Sequence, residues 1–174
     1  MEEKTLNSQI IYQGSVISLK VDEVSLPDCK KGQREVITHN GGVVIIAITP
    51  EQKLVLVEQF RYSIGQKLLE FPAGRLNSLQ ENPSEAAKRE LQEETGYIAG
   101  QIKLLSFAYS APGFCSEKLY FYLATNLQQG LACPDEDEFV NTVLLTKQEL
   151  SEKIKTGQIN DCKTLAGWAL LDKV

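Results

Sequence analysis

The stretch Asn82-Pro83-Ser84-Glu85-Ala86-Ala87-Lys88-Arg89-Glu90-Leu91-Gln92-Glu93-Glu94-Thr95-Gly96 decides how the rest of the chain is read. Asn82 is a capping residue, and Pro83 takes the first helical position, where its missing N–H costs nothing. Glu85 stands third, as in a capping box. Gly96 suits a left-handed stop. These signals predict a helix over residues 83–95. Within it Glu90, Glu93 and Glu94 stand at i, i+3 and i+4, and a period of about 3.6 residues brings those positions to one face. Like charges at this spacing repel by roughly a few tenths of a kcal/mol per pair, and by more where water is excluded. Taken alone, the triplet leaves two readings open: a solvated charged face, or a site where a divalent cation removes the repulsion. In the second, Glu90 and Glu94 can bind one ion together or bridge two. Arg89 can fix Glu93 from one turn away, and Glu85 can hold the other side of Arg89. Ala86 and Ala87 point near the acids and leave room around them.

Upstream, Ile17, Leu19, Val21, Val24 and Leu26 alternate with polar residues over 16–26, with a slip near Glu23 that a bulge would explain. Pro27 to Gly32 has turn chemistry, and Arg34 to His39 reads as a returning strand. Residues 1–40 therefore form a small N-terminal antiparallel β unit, and residues 41–174 a main domain. The apolar run 43–48, a turn at Thr49-Pro50-Glu51-Gln52 and the run 54–57 read as a buried hairpin. A short strand over 68–71 stops at Pro72, and a loop runs from Gly74 to Glu81. Further strands are expected at 102–109, 118–124 and 140–145, then helices at 147–155 and 161–172. Strands on both sides of one well-capped helix, with more helix at the end, give an α/β (α+β) class: a mixed sheet between helical layers.

At 174 residues the chain can bury a sizeable core. A net charge of −5 disfavours nucleic-acid binding, since no Lys/Arg excess is present to release counterions. No basic start followed by an apolar stretch is visible, and the longest apolar run, 42–48, is too short to cross a bilayer. Cys29, Cys115, Cys133 and Cys162 lie far apart without a C-x-x-C pair, which disfavours zinc and a disulfide framework and fits reduced thiols in the cytoplasm. His39 is the single histidine and reads as a satisfied structural residue. With oxygen donors alone on offer, Mg²⁺ or Mn²⁺ is the expected metal.

From Gly74 through Glu81 to Arg89-Glu90-Leu91-Gln92-Glu93-Glu94-Thr95-Gly96-Tyr97 the chain resembles the Nudix box, written G-x5-E-x7-R-E-U-x-E-E-x-G-U with U a bulky apolar residue. Every fixed position from Glu81 onward matches. Between Gly74 and Glu81 the chain has six residues where the pattern has five, so a locally longer turn is expected. The resemblance implies a Nudix fold, an α/β/α sandwich with a mixed sheet. It also implies that Glu90, Glu93 and Glu94 bind or position the metal, with the Ala73 carbonyl as a further ligand.

Outside the box the resemblance is to ADP-ribose pyrophosphatases. It runs through Val57-Glu58-Gln59-Phe60-Arg61-Tyr62, Leu69-Glu70-Phe71-Pro72-Ala73-Gly74, and Pro112-Gly113, which begins 15 residues beyond Tyr97. It implies Mg²⁺-dependent (or Mn²⁺-dependent) hydrolysis of the pyrophosphate link of a nucleoside diphosphate sugar. ADP-ribose leads, yielding AMP and ribose 5-phosphate. GDP-mannose or another such compound, and a nucleotide-binding module without catalysis, are the alternatives. Arg34 and Arg61 offer guanidinium forks to the diphosphate or ribose, with surface ion pairs as the other reading. Pro112 and Gly113 join the substrate site by the same resemblance, and an N-terminal aromatic such as Tyr12 could stack on the base. Within Asp135-Glu136-Asp137-Glu138 the residue aligned with the family's general base is Glu138, with Glu136 and Glu93 still open, and Arg89, which can fix Glu93, counts with the catalytic residues. A homodimer in which N-terminal strands reach the partner's pocket is likewise implied.

Overall fold

The computed structural model describes residues 1–133 and 139–171. Its elements are β1 (Lys4–Gln13), β2 (Ser18–Ser25), β3 (Lys31–Thr38), β4 (Gly42–Ile48), β5 (Leu54–Arg61), β6 (Gln66–Glu70), β7 (Ala73–Arg75), α1 (Pro83–Thr95), β8 (Tyr97–Tyr109), β9 (Lys118–Gln129), β10 (Val140–Leu145), α2 (Lys147–Lys155) and α3 (Cys162–Leu171). The helix that organises the sequence forms over the expected residues. The Asn82 side chain accepts the Ser84 N–H at 2.9 Å, and Gly96 closes the helix at φ 76°, where a side chain would be strained. Glu85 departs from its expected part: its carboxylate accepts from Lys88 Nζ at 2.9 Å and does not hold Arg89.

The principal sheet has seven strands in the order β10-β5-β4-β9-β8, with β6 paired to β5 and β7 to β4. It is mixed, because β4 and β9 run parallel while the other pairs are antiparallel. The expected hairpin of β4 and β5 is joined only at Ala47↔Val55 and Ile48↔Leu54. Beyond that point β4 pairs with β7 along Gly42, Val43 and Val44, which lets Ala73-Gly74 enter the sheet. The unbroken apolar run of β4 follows from burial on both faces. Val43, Ile45 and Ala47 meet α1 through Ala86, Ala87 and Leu91. Val44 and Ile46 pack on the opposite face with Phe71, Leu150, Ile159 and Leu171 of the α2–α3 side. Each fully buried aliphatic side chain here contributes about 1.5–3 kcal/mol. Ala86 and Ala87 thus serve mainly to bring α1 close to the sheet.

The N-terminal unit is a separate three-stranded antiparallel sheet, β1-β2-β3. Its bulges lie in β1, where Leu6 and Ile11 are extra residues, and not in β2 at Glu23. This sheet meets the main body where Ile37 donates to the Phe114 carbonyl at 2.7 Å and accepts from the Ser116 N–H at 2.9 Å.

Candidate active site

The local path of the chain brings the acids of α1 against β7. Glu90 and Glu94 are buried, at 8% and 4% exposure, although they are carboxylates. Glu94 accepts the Ala73 N–H at 3.1 Å. Glu90 lies so close to Gly74 that a Cβ at that position would fall on its carboxyl group and push the acid aside. Arg89 spans the rim: Nη1 lies 2.8 Å from Glu90 and 2.9 Å from Glu93, and Nη2 reaches Glu81 at 3.3 Å. Glu81 also accepts the Asn77 N–H, so the loop with the additional residue is fastened to both Asn77 and Arg89. Burial works against the Arg89 charge, but Glu90 and Glu93 outweigh it and hold the guanidinium above its ordinary pKa. Arg89 Nε is buried without a hydrogen-bond partner among the described residues. Such an orphan costs about 1–3 kcal/mol, which a helix shaped only for stability would avoid.

Ala73 and Gly74 form part of the lining of a cleft of about 380 Å³, together with Arg61, Tyr109, Asp161 and Lys163 among others. Arg61 grips Glu70 with Nε at 2.8 Å and Nη2 at 2.6 Å. Lys163 Nζ donates to the same carboxylate and, at 3.0 Å, to Asp161. Hydrogen bonding to Glu70 raises the Arg61 pKa. Burial pushes Glu70 up, but Arg61 and Lys163 outweigh it and hold the carboxyl below its ordinary value. Glu70, Asp161 and Lys163 were missed as site residues in the sequence. The signal available was Glu70 preceding Phe71-Pro72-Ala73-Gly74, whereas its partner Lys163 lies 93 residues away.

The other sequence candidates are more dispersed. Arg34 is not part of the cleft lining; it is exposed and paired to Glu3, with Nε at 2.9 Å. Pro112 and Gly113 lie in the turn after cleft-lining Ser110. Tyr12 is exposed on β1. His39 lines the cleft, and its Nδ1 accepts the Gly41 N–H at 3.0 Å. Glu136 and Glu138 lie outside the described residues.

Among the described residues no three acidic, histidine or cysteine side chains form a ready-made metal cage. A hard dication draws oxygen donors from carboxylates, backbone carbonyls, water and substrate together. Two buried carboxylates one helical turn apart, beside a glycine that admits one of them, fit such a group.

A model of the NUDIX domain matches residues 38–166. The chain belongs to the NUDIX family. A Bacillus methanolicus protein named methanol dehydrogenase activator is 44% identical over 167 residues, covering 94% of this chain and 89% of that one. An ADP-ribose pyrophosphatase of Bacillus subtilis (strain 168) is 37% identical over 166 residues, with the same coverage of 94% and 89%. The solved structure of an ADP compounds hydrolase superposes with a TM-score of 0.88 at 20% identity, covering 99% of this chain and 94% of that one, and shares its fold. The chain is a NUDIX hydrolase, and its α/β architecture is the one expected from the box.

Proposed function

We propose that the chain hydrolyses the pyrophosphate link of a nucleoside diphosphate sugar, with ADP-ribose as the preferred substrate, and does so with Mg²⁺ or Mn²⁺ as a cytoplasmic homodimer. The observation that carries this reading is that buried Glu90 and Glu94 lie against Gly74 and Ala73, two residues lining a cleft that also presents Arg61. Glu90, Glu93, Glu94 and the Ala73 carbonyl would hold the metal, which when bound neutralises the diphosphate and helps ionise the attacking water. Arg89 orients Glu90 and Glu93, and Arg61 receives a phosphate oxygen. Glu138 takes the proton of the attacking water, with Glu136 or Glu93 as the other assignments. Pro112 and Gly113 border the sugar end. Arg34 belongs to the site only if the dimer brings the N-terminal sheet to the partner's cleft. Residues 1–40 then act as the dimer-forming unit and residues 41–174 as the hydrolase domain.

Assaying purified protein against a panel of nucleotide sugars with Mg²⁺ tests this. AMP and ribose 5-phosphate from ADP-ribose are expected, and a clear preference for GDP-mannose would overturn the substrate. No turnover of any compound would overturn the activity and favour a binding module. A second reading rests on the 44% identical relative named as a dehydrogenase activator, namely that the chain stimulates a partner dehydrogenase. Unchanged dehydrogenase rates on adding the chain would exclude it.

A further inference from the structure

Lys163 has no part in the chemistry described so far, yet it lines the cleft and is tied into a closed set of interactions. It comes from the first turn of α3, where Asp161 accepts both the Thr164 N–H at 2.9 Å and the Thr164 hydroxyl at 2.7 Å. The Thr164 oxygen accepts the Phe71 N–H at 2.9 Å, which fixes α3 to the residue that follows Glu70. Lys163 itself bridges Asp161 and Glu70. Glu70 is only 1% exposed and both its oxygens are taken, one by Arg61 Nε and the other by Arg61 Nη2 and Lys163 together.

Two cations and two carboxylates cancel, which is the condition under which such groups tolerate burial. Arg61 still lines the cleft with 33% of its side chain exposed, while Nε and Nη2 are locked on Glu70 and the charge of Glu94 acts on it as well. A guanidinium so clamped loses little freedom when it meets an oxyanion, because its orientation is already set.

We propose that Lys163 is a positioning residue for substrate: through Glu70 it holds the Arg61 guanidinium at the cleft wall, where its exposed part meets an anionic oxygen of the diphosphate. The inference rests on the reading of the cleft as a diphosphate site.

Steady-state kinetics of the full chain with Mg²⁺ and ADP-ribose test it. Lys163→Met raises KM about tenfold or more while kcat stays within about threefold, the split expected when binding and not the chemical step is lost. Lys163→Arg, which keeps a cation on Glu70, restores most of the loss. In Lys163→Met the acid limb of kcat/KM also moves to higher pH, because Glu70 has lost one of the cations that keep it ionised. A merely structural lysine would lower thermal stability and kcat and leave KM and the acid limb in place, and that result overturns the inference. If Lys163→Met does not fold, Lys163→Gln reads the same quantities. A wild-type protein inert on every nucleotide sugar overturns the diphosphate reading and the inference with it. An active wild type with an unaltered Lys163→Met KM overturns the inference alone.

Discussion

Glu70 on one hand, and Glu90 with Glu94 on the other, are buried acids held in different ways. Glu70 is enclosed by cations, with Arg61 and Lys163 occupying both of its oxygens. Glu94 instead accepts a backbone N–H, that of Ala73, and Glu90 lies against Gly74 beside Arg89, a cation shared among Glu81, Glu90 and Glu93. The first arrangement spends its charge inside the protein and yields a fixed wall. The second, in the proposed reading, is where a dication and a diphosphate meet.

The contrast breaks most sharply at Glu94. Glu94→Gln keeps an acceptor for the Ala73 N–H but loses the charge, so turnover should fall by at least about a hundredfold while circular dichroism and melting temperature stay near wild type. Near-normal turnover would mean that Glu94 is a structural acid like Glu70. Gly74→Ala tests the same neighbourhood from the backbone side. The added Cβ displaces Glu90, and a loss of about 1–3 kcal/mol in denaturant unfolding, together with most of the activity, is expected.

For Glu70 the expected signature is in pH. Its folded pKa is depressed below the ordinary value of 4.5, so the stability it contributes is present above that value and lost as pH falls through the lower folded one. Glu70→Gln should therefore be destabilised at neutral pH, with a melting temperature that declines less steeply than wild type below about pH 4.5. Parallel curves would show that the cation enclosure does not govern the acid limb. The smallest effect on stability is expected in the N-terminal sheet, where every residue of β1 is exposed. Ile10→Asp should change the unfolding free energy of the single chain by no more than about 0.5 kcal/mol. By sedimentation it should shift a dimer toward monomer, and an unchanged sedimentation profile would remove β1 from the interface.

What could be read from the sequence follows the range of the interactions. α1 is specified locally by Asn82, Pro83 and Gly96, and its acids fall on one face by helical period alone, so helix and acid cluster were legible together. Strand β1 was not, because the bulges at Leu6 and Ile11 destroy its alternation. With β1 unseen, the Glu3 partner of Arg34 was unseen too. The Glu85 assignment failed because i+3 and i+4 partners are both within reach on a helix, and Arg89 is drawn inward by Glu90, leaving Glu85 to Lys88. The clamp of Glu70 by Lys163 joins segments 93 residues apart, beyond what periodicity or spacing can reveal.

The central claim is that α1 holds a divalent cation beside Ala73-Gly74. Anomalous scattering from crystals of the full chain soaked in Mn²⁺ tests it most directly. The account predicts a peak about 2.1 Å from carboxylate oxygens of Glu90 and Glu94, which disappears in Glu94→Gln; a Mn²⁺ peak elsewhere, with none at these two acids, would contradict it.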